Sequence, residues 1–199
     1  MLVAQKNYKT PEYSWGLELN WSASNLMDLK GTNSNVFNPK MRTGFGGSIV
    51  VPFQYAPKKS FFGFQSGLGF FMWGTTYRNW HIKIEKESLY SIGIPMAVQF
   101  KVSKSFWLES GFQANFAVYN TLRHAGISGK LPLVELQYLL GFRYHIFKSL
   151  AIKARLHVGL TPAYQIIMIN PPYSQEDIHN QYRFGVFELG MSYLFPLKK

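Results

Sequence analysis

Apolar and polar residues alternate one for one over most of this chain. From Phe187 to Phe195, the residues Phe187, Leu189, Met191, Tyr193 and Phe195 fall on one side, and Glu188, Gly190 and Ser192 on the other. Only Leu194 breaks the pattern. Side chains of an extended chain point alternately to opposite faces, so a period of two predicts a β-strand. The same period recurs seven times earlier: Tyr13 to Ser22, about Lys40 to Tyr55, about Ser60 to Tyr77, about Ser88 to Val102, Phe106 to Tyr119, Leu133 to Phe147 and Leu150 to Thr161. Pro95 interrupts the fourth of these strands. It lacks a backbone donor, so a bulge or a locally broken ladder is expected there.

The connections divide into two kinds. Ala56-Pro57-Lys58-Lys59, Ser103-Lys104-Ser105 and Lys148-Ser149 are short turns. Ala23 to Pro39, Arg78 to Glu87, Asn120 to Pro132 and Pro162 to Gln181 read as long loops. Long and short connections alternate, which predicts an eight-stranded antiparallel up-and-down β-barrel with its short turns at one end. The barrel spans residues 13–195, between a tail at 1–12 and a tail at 196–199.

The two faces differ in kind. One carries large apolar side chains, such as Trp15, Leu17, Leu19 and Trp21 on the first strand. The other is mostly Gly, Ser, Ala, Gln and Asn. A soluble, lipocalin-like barrel would put the large residues inside, but an eight-stranded interior is only just wide enough for side chains to fill. Small residues suit that interior, and the apolar face then meets lipid. A closed barrel also pairs every backbone group, which hydrocarbon demands. Trp15, Trp21, Tyr55, Tyr77, Tyr144 and Tyr193 stand toward strand ends, where aromatic girdles form.

Composition fits this reading. The 199 residues are 17% aromatic and 16% charged, and mean hydropathy is -0.08. Two alternating faces average to such a value, whereas membrane helices would be far more apolar. There is no cysteine, so no thiol chemistry. The net charge of +11 is spread over loops and alternate strand positions, not gathered in a stripe, so outer-membrane lipids and lipopolysaccharide are better partners than nucleic acid. Met1 to Lys6, with a small residue at Ala4, resembles the end of an export signal but lacks a charged first region and a full apolar segment, so an ordinary terminal tail is the alternative.

Two resemblances add to this. Glu188, Gly190, Tyr193 and Phe195 resemble the closing strand of bacterial outer-membrane barrels, which implies recognition by the barrel assembly machinery. In that family the chain usually ends at the aromatic residue, whereas here Pro196 to Lys199 follow. The whole meander resembles the PorT-like outer-membrane β-barrel family of Bacteroidota. The resemblance rests on Phe64 to Gly69, Ser91-Ile92-Gly93-Ile94-Pro95, Leu108-Glu109-Ser110-Gly111 and Ala154-Arg155-Leu156-His157-Val158-Gly159-Leu160. It implies an outer-membrane barrel with short turns periplasmic and long loops extracellular, and it lends no catalytic residues.

Candidate chemistry lies in three places. The lumen face carries Glu18, Arg42, Lys101, Glu109, Glu135, Arg143, Lys153, Arg155 and Glu188. Counting from the short-turn end puts Lys101, Glu109, Arg143, Lys153, Arg155, Glu188 and Glu18 in one layer, with opposite charges interleaved. A salt-bridge plug is favoured there over a polar pore or proton path, because eight strands leave little room and Gln65, Gln113, Asn115 and His157 fill the gaps. The loops carry Arg78, Lys83, Lys86, Arg123 and Lys130, candidates for contact with lipopolysaccharide phosphates. They also hold His81, His124, His179, Ser128, Ser174, Glu176 and Asp177, with no nucleophile motif and no His pair at metal-ligand spacing. No enzyme, cofactor or metal is therefore expected. The expected role is an accessory or scaffold subunit of an outer-membrane protein complex, for secretion or assembly. A stand-alone porin-like or surface-binding barrel and a lipid-modifying enzyme are the alternatives.

Overall fold

A computed structural model describes residues 13–28, 40–57, 60–79, 82–120, 128–130, 134–161, 164–168 and 178–197. Ten strands occur in this order: β1 (Tyr13–Asp28), β2 (Lys40–Tyr55), β3 (Phe62–Asn79), β4 (Ile82–Lys101), β5 (Phe106–Asn120), β6 (Ser128–Lys130), β7 (Val134–His145), β8 (Leu150–Gly159), β9 (Tyr164–Met168) and β10 (Ile178–Pro196). Eight of them form the wall, in the order β1-β2-β3-β4-β5-β7-β8-β10, and β10 pairs back onto β1. Every pairing is antiparallel. The closing seam runs unbroken from Ser14↔Pro196 to Asp28↔Tyr182. The fold is thus a closed eight-stranded antiparallel β-barrel.

The faces lie as the alternation predicts. Leu19, Ile49, Leu68, Met96, Leu140 and Met191 point outward and are exposed, while Glu18, Ser48, Gln65, Gln99, Gln137 and Ser192 point inward and are buried. On β4 the outward residues Ile92 to Phe100 cover about 27 Å along the strand, or about 21 Å across a bilayer at a barrel-like tilt. Aromatic pairs border this belt. Trp15 stacks on Phe195 at 4.8 Å near the turn end. Trp21 stacks on Phe45 at 5.4 Å, and Tyr90 meets Tyr119 at 5.8 Å, on the loop side.

Pro95 breaks the ladder without a bulge. Ser66↔Met96 and Gly69↔Gly93 share one register, and the two pairs between them are missing. Pro52 does the same between β1 and β2, where pairing skips from Trp15↔Phe53 to Glu18↔Val50. In both cases a strand without a donor stays in line because its other side remains paired.

Two expectations need correction. The stretch from Arg78 to Glu87 is not a long loop: β3 and β4 continue as a hairpin, with Asn79 opposite Ile82. Connections therefore do not strictly alternate in length. The first strand also runs on from Ser22 to Asp28. Beyond the lipid a strand needs no apolar face, so these extensions carry no hydrophobic signal. The connections after β5 and after β8 contain β6 and β9, which pair with each other and extend the sheet from β10.

Candidate functional site in the barrel lumen

The inward face of each wall strand delivers polar side chains at fixed heights, because the register fixes which residues stand level. Near the turn end, Glu18 of β1, Gln54 of β2, Gln65 of β3, Gln99 of β4, Glu109 of β5, Arg143 of β7 and Lys153 and Arg155 of β8 converge. Glu18, Glu109, Arg143 and Lys153 have no solvent-exposed surface. Arg143 donates to the Glu18 carboxylate at 2.8 Å, and Lys153 and Arg155 pair with its other oxygen. Arg155 binds Glu109 at 2.7 Å through both Nε and Nη2, and Arg143 Nε lies 3.0 Å from the same carboxylate.

Glutamines complete this layer. Gln65 donates to Glu18 at 2.9 Å and Gln99 donates to Glu109 at 2.8 Å. The Gln65 carbonyl oxygen accepts from Gln99 and from both arginines. Gln54 donates to Gln99 at 2.8 Å. Buried charges of this kind are tolerable only when every donor and acceptor finds a partner, and the carboxylate oxygens of Glu18 and Glu109 all do.

The charge layer departs from the sequence expectation at its edges. Glu188 sits one level higher. It accepts from Ser48 at 3.0 Å and pairs with His157 at 3.0 Å, while Asn20 donates to Ser48. Glu188 does stand opposite Arg155 in the ladder. Lys101 stands lower, half-buried, with its ammonium 5.9 Å from the centre of the Trp107 ring. Glu135 lies well above the layer, buried, with Gln137 donating to it at 3.1 Å. Arg42 has its backbone in β2, opposite Thr76, and its side chain lies outside the described residues.

The upper lumen was not legible as an apolar site, yet it holds one. Phe71 and Trp73 of β3 and Phe184 of β10 point inward and are buried, and their rings touch in series at 5.8 and 5.6 Å. Trp73 also lies 6.5 Å from the His157 ring. The Phe71 ring rests where Gly69 and Gly93 have no side chain; a Cβ on either would meet it at 2.8 or 2.7 Å. Beside these rings, Gln113, Asn115, Glu135 and Gln137 form a polar patch on β5 and β7. Gln113 donates to Asn115 at 2.8 Å. Gln113 Oε1, Asn115 Nδ2, Glu135 Oε2 and Gln137 Oε1 are buried without a hydrogen-bond partner.

The other named residues divide as follows. Glu188 and Gly190 face the lumen, and Tyr193 and Phe195 face outward with their rings 4.9 Å apart. Arg78, Lys83, Lys86 and Lys130 have backbones in β3, β4 and β6, but their side chains, and all of Arg123, lie outside the described residues. The same holds for the side chains of Ser128 and His179, and for His81, His124, Ser174, Glu176 and Asp177 entirely.

No protein-family model matches the chain, and no curated protein matches it by sequence. Solved structures do match. Neisserial surface protein A is 14% identical over 91% of this chain and 97% of its own, with a TM-score of 0.54. The outer membrane protein OprG from Pseudomonas aeruginosa is 14% identical over 96% and 98%, with a TM-score of 0.55. The chain has the fold of small outer-membrane β-barrels. At this identity the likeness reaches the architecture and stops there.

Proposed function

We propose that this chain is an integral outer-membrane barrel with a closed lumen, acting as a non-enzymatic accessory or scaffold subunit of an outer-membrane protein complex. One observation carries the reading: the lumen is crossed at two levels, by the Glu18–Glu109–Arg143–Lys153–Arg155 network and by the Phe71–Trp73–Phe184 rings. A barrel that gives its interior to side-chain packing has its outer wall and its rims left for function. The apolar belt and the fold shared with OprG support the outer-membrane location. The resemblance to PorT-like barrels supports the role in secretion or assembly. In this reading the short turns are periplasmic, the loop-end lysines and arginines meet lipopolysaccharide, and Gly190, Tyr193 and Phe195 are read by the assembly machinery.

The test has two parts. In planar bilayers at neutral pH the purified protein is expected to show no stable single-channel steps. After gentle detergent extraction, native mass spectrometry should find it bound to a large partner in fixed stoichiometry. Large reproducible conductance steps would reject the closed lumen, and a lone monomer would reject the subunit role. A second reading, a stand-alone surface-binding barrel, is favoured by the β3–β4 hairpin, which runs beyond the apolar belt to Asn79 and Ile82. A silent lone monomer is the result that selects it.

A further inference from the structure

We propose that the turn end of the lumen is a binding recess for a small oxyanion of the phosphate class, formed by Lys101, Trp107 and His145. The three come from adjacent strands, β4, β5 and β7. Lys101 stands opposite Trp107, and Trp107 opposite Arg143, two residues before His145. The Trp107 and His145 rings are 5.8 Å apart, and the Lys101 ammonium is 5.9 Å from the Trp107 ring. Trp107 leans past β4 toward β3, where the bare Cα of Gly63 makes room for its ring.

These groups have a donor surplus. Trp107 is 2% exposed and His145 is 8% exposed, yet Trp107 Nε1 and both His145 ring nitrogens lack a hydrogen-bond partner. In the same row, His145 stands opposite Ala151 and Ala151 opposite Ser192, whose buried hydroxyl is also unpartnered. An indole nitrogen only donates, an ammonium only donates, and an imidazole donates at least once. A single water offers two lone pairs, too few for such a set. An oxyanion offers several strong acceptors and a charge to match.

The surroundings favour an anion as well. Arg143 lies directly behind the recess. Glu109 is the nearby carboxylate, and its oxygens are already engaged by Arg155, Gln99 and Arg143. Among the described residues, the turns at this end carry Lys104 and Lys148, both exposed, and no Asp or Glu. A mouth edged by one sign of charge concentrates counter-ions.

The oxyanion could come from solution or from a lipid headgroup, and the experiment separates the two. Nitrogen-15-labelled protein is placed in zwitterionic nanodiscs, and the Trp107 indole N–H signal is assigned by its loss in Trp107→Phe. Inorganic phosphate is then titrated against sodium chloride of equal ionic strength. The expected result is a saturable shift of that signal with phosphate alone, with apparent affinity falling at least tenfold in Lys101→Gln and in His145→Gln. Lys101 is half-buried and outside the ion-pair network, so its variant keeps the barrel intact. In nanodiscs containing phosphatidylglycerol, a shift already present before phosphate is added identifies the headgroup as the source. A shift only on adding phosphate identifies the free anion. An equal response to chloride, no shift in either lipid, or a phosphate response unchanged in Lys101→Gln overturns the proposal.

Discussion

The lower and upper halves of the lumen solve one problem differently. Both must fill a narrow space with side chains from eight strands. The lower half does it with charge: Glu18 and Glu109 bind Arg143, Lys153 and Arg155, and glutamines bridge the two carboxylates and the arginines. The upper half does it with aromatic bulk, leaving Gln113, Asn115, Glu135 and Gln137 half-satisfied beside Trp73 and Phe184. A dense network of buried ion pairs gains rigidity and specificity but fails badly if one member is removed. An unsaturated polar patch has less to lose. The lower half should therefore dominate stability, and the upper half should tolerate change.

The largest effect is expected from Glu18→Ala. It strips the shared acceptor from three cations and leaves them buried, a loss of about 3–5 kcal/mol by analogy with broken buried pairs. Urea unfolding in lipid vesicles measures it, and a loss below 1 kcal/mol would mean the lower network is not the keystone. Leu140→Arg, on the outer wall, calibrates the scale. It puts a charge against lipid at mid-strand and should cost roughly 2–4 kcal/mol. The same titration applied to both variants ranks lumen against wall. Gly190→Val comes next. Gly190 stands opposite Asn20 at the junction of the two halves, and an added Cβ collides with the Asn20 side chain and the Leu19 carbonyl. Overpacking of this sort costs about 1–3 kcal/mol, and refolding yield in vesicles should fall with it. The smallest effect belongs to Ser91→Ala. Ser91 stands opposite Phe71 in the upper half, and its buried hydroxyl has no hydrogen-bond partner, so removing it should change stability by roughly 1 kcal/mol or less, in either direction. A loss comparable with that of Glu18→Ala would erase the contrast between the halves.

The wall was readable from the sequence and the upper lumen was not, for one reason. Period-two alternation identifies a strand and its faces only where the faces differ. They differ in Phe187 to Phe195, in Ile92 to Phe100 and in Trp15 to Trp21, and those faces lie as the pattern predicts. They do not differ in Phe70-Phe71-Met72-Trp73 or in Leu139-Leu140, where an apolar run hides which residues turn inward. Phe184 is hidden for another reason: it lies in the part of β10 between Gln181 and Phe187, which the alternation assigned to neither the loop nor the last strand. Charges were easier, since a charged residue on a lipid-crossing strand must face the lumen. Their heights were harder. Counting from strand ends set Lys101 and Glu188 level with Glu109, and the register moves one down and the other up.

The cations of the lower network all come from the neighbouring strands β7 and β8. Its acids come from β5 and from β1, and Glu188 of β10 stands beside it. The bonds of Glu18 to Arg143, Lys153 and Arg155 thus tie the first strand of the barrel to strands near the other end of the chain. Alternation by itself rejects a closing seam that slips by one residue, because every side chain would change face. It is blind to a slip of two, which keeps each face and moves β1 about 7 Å along its neighbour. Such a slip carries the Glu18 carboxylate out of reach of its three partners and strands their charges. The ion pairs act as a proofreader of ring closure, accepting one alignment among several that the hydrophobic pattern treats as equal.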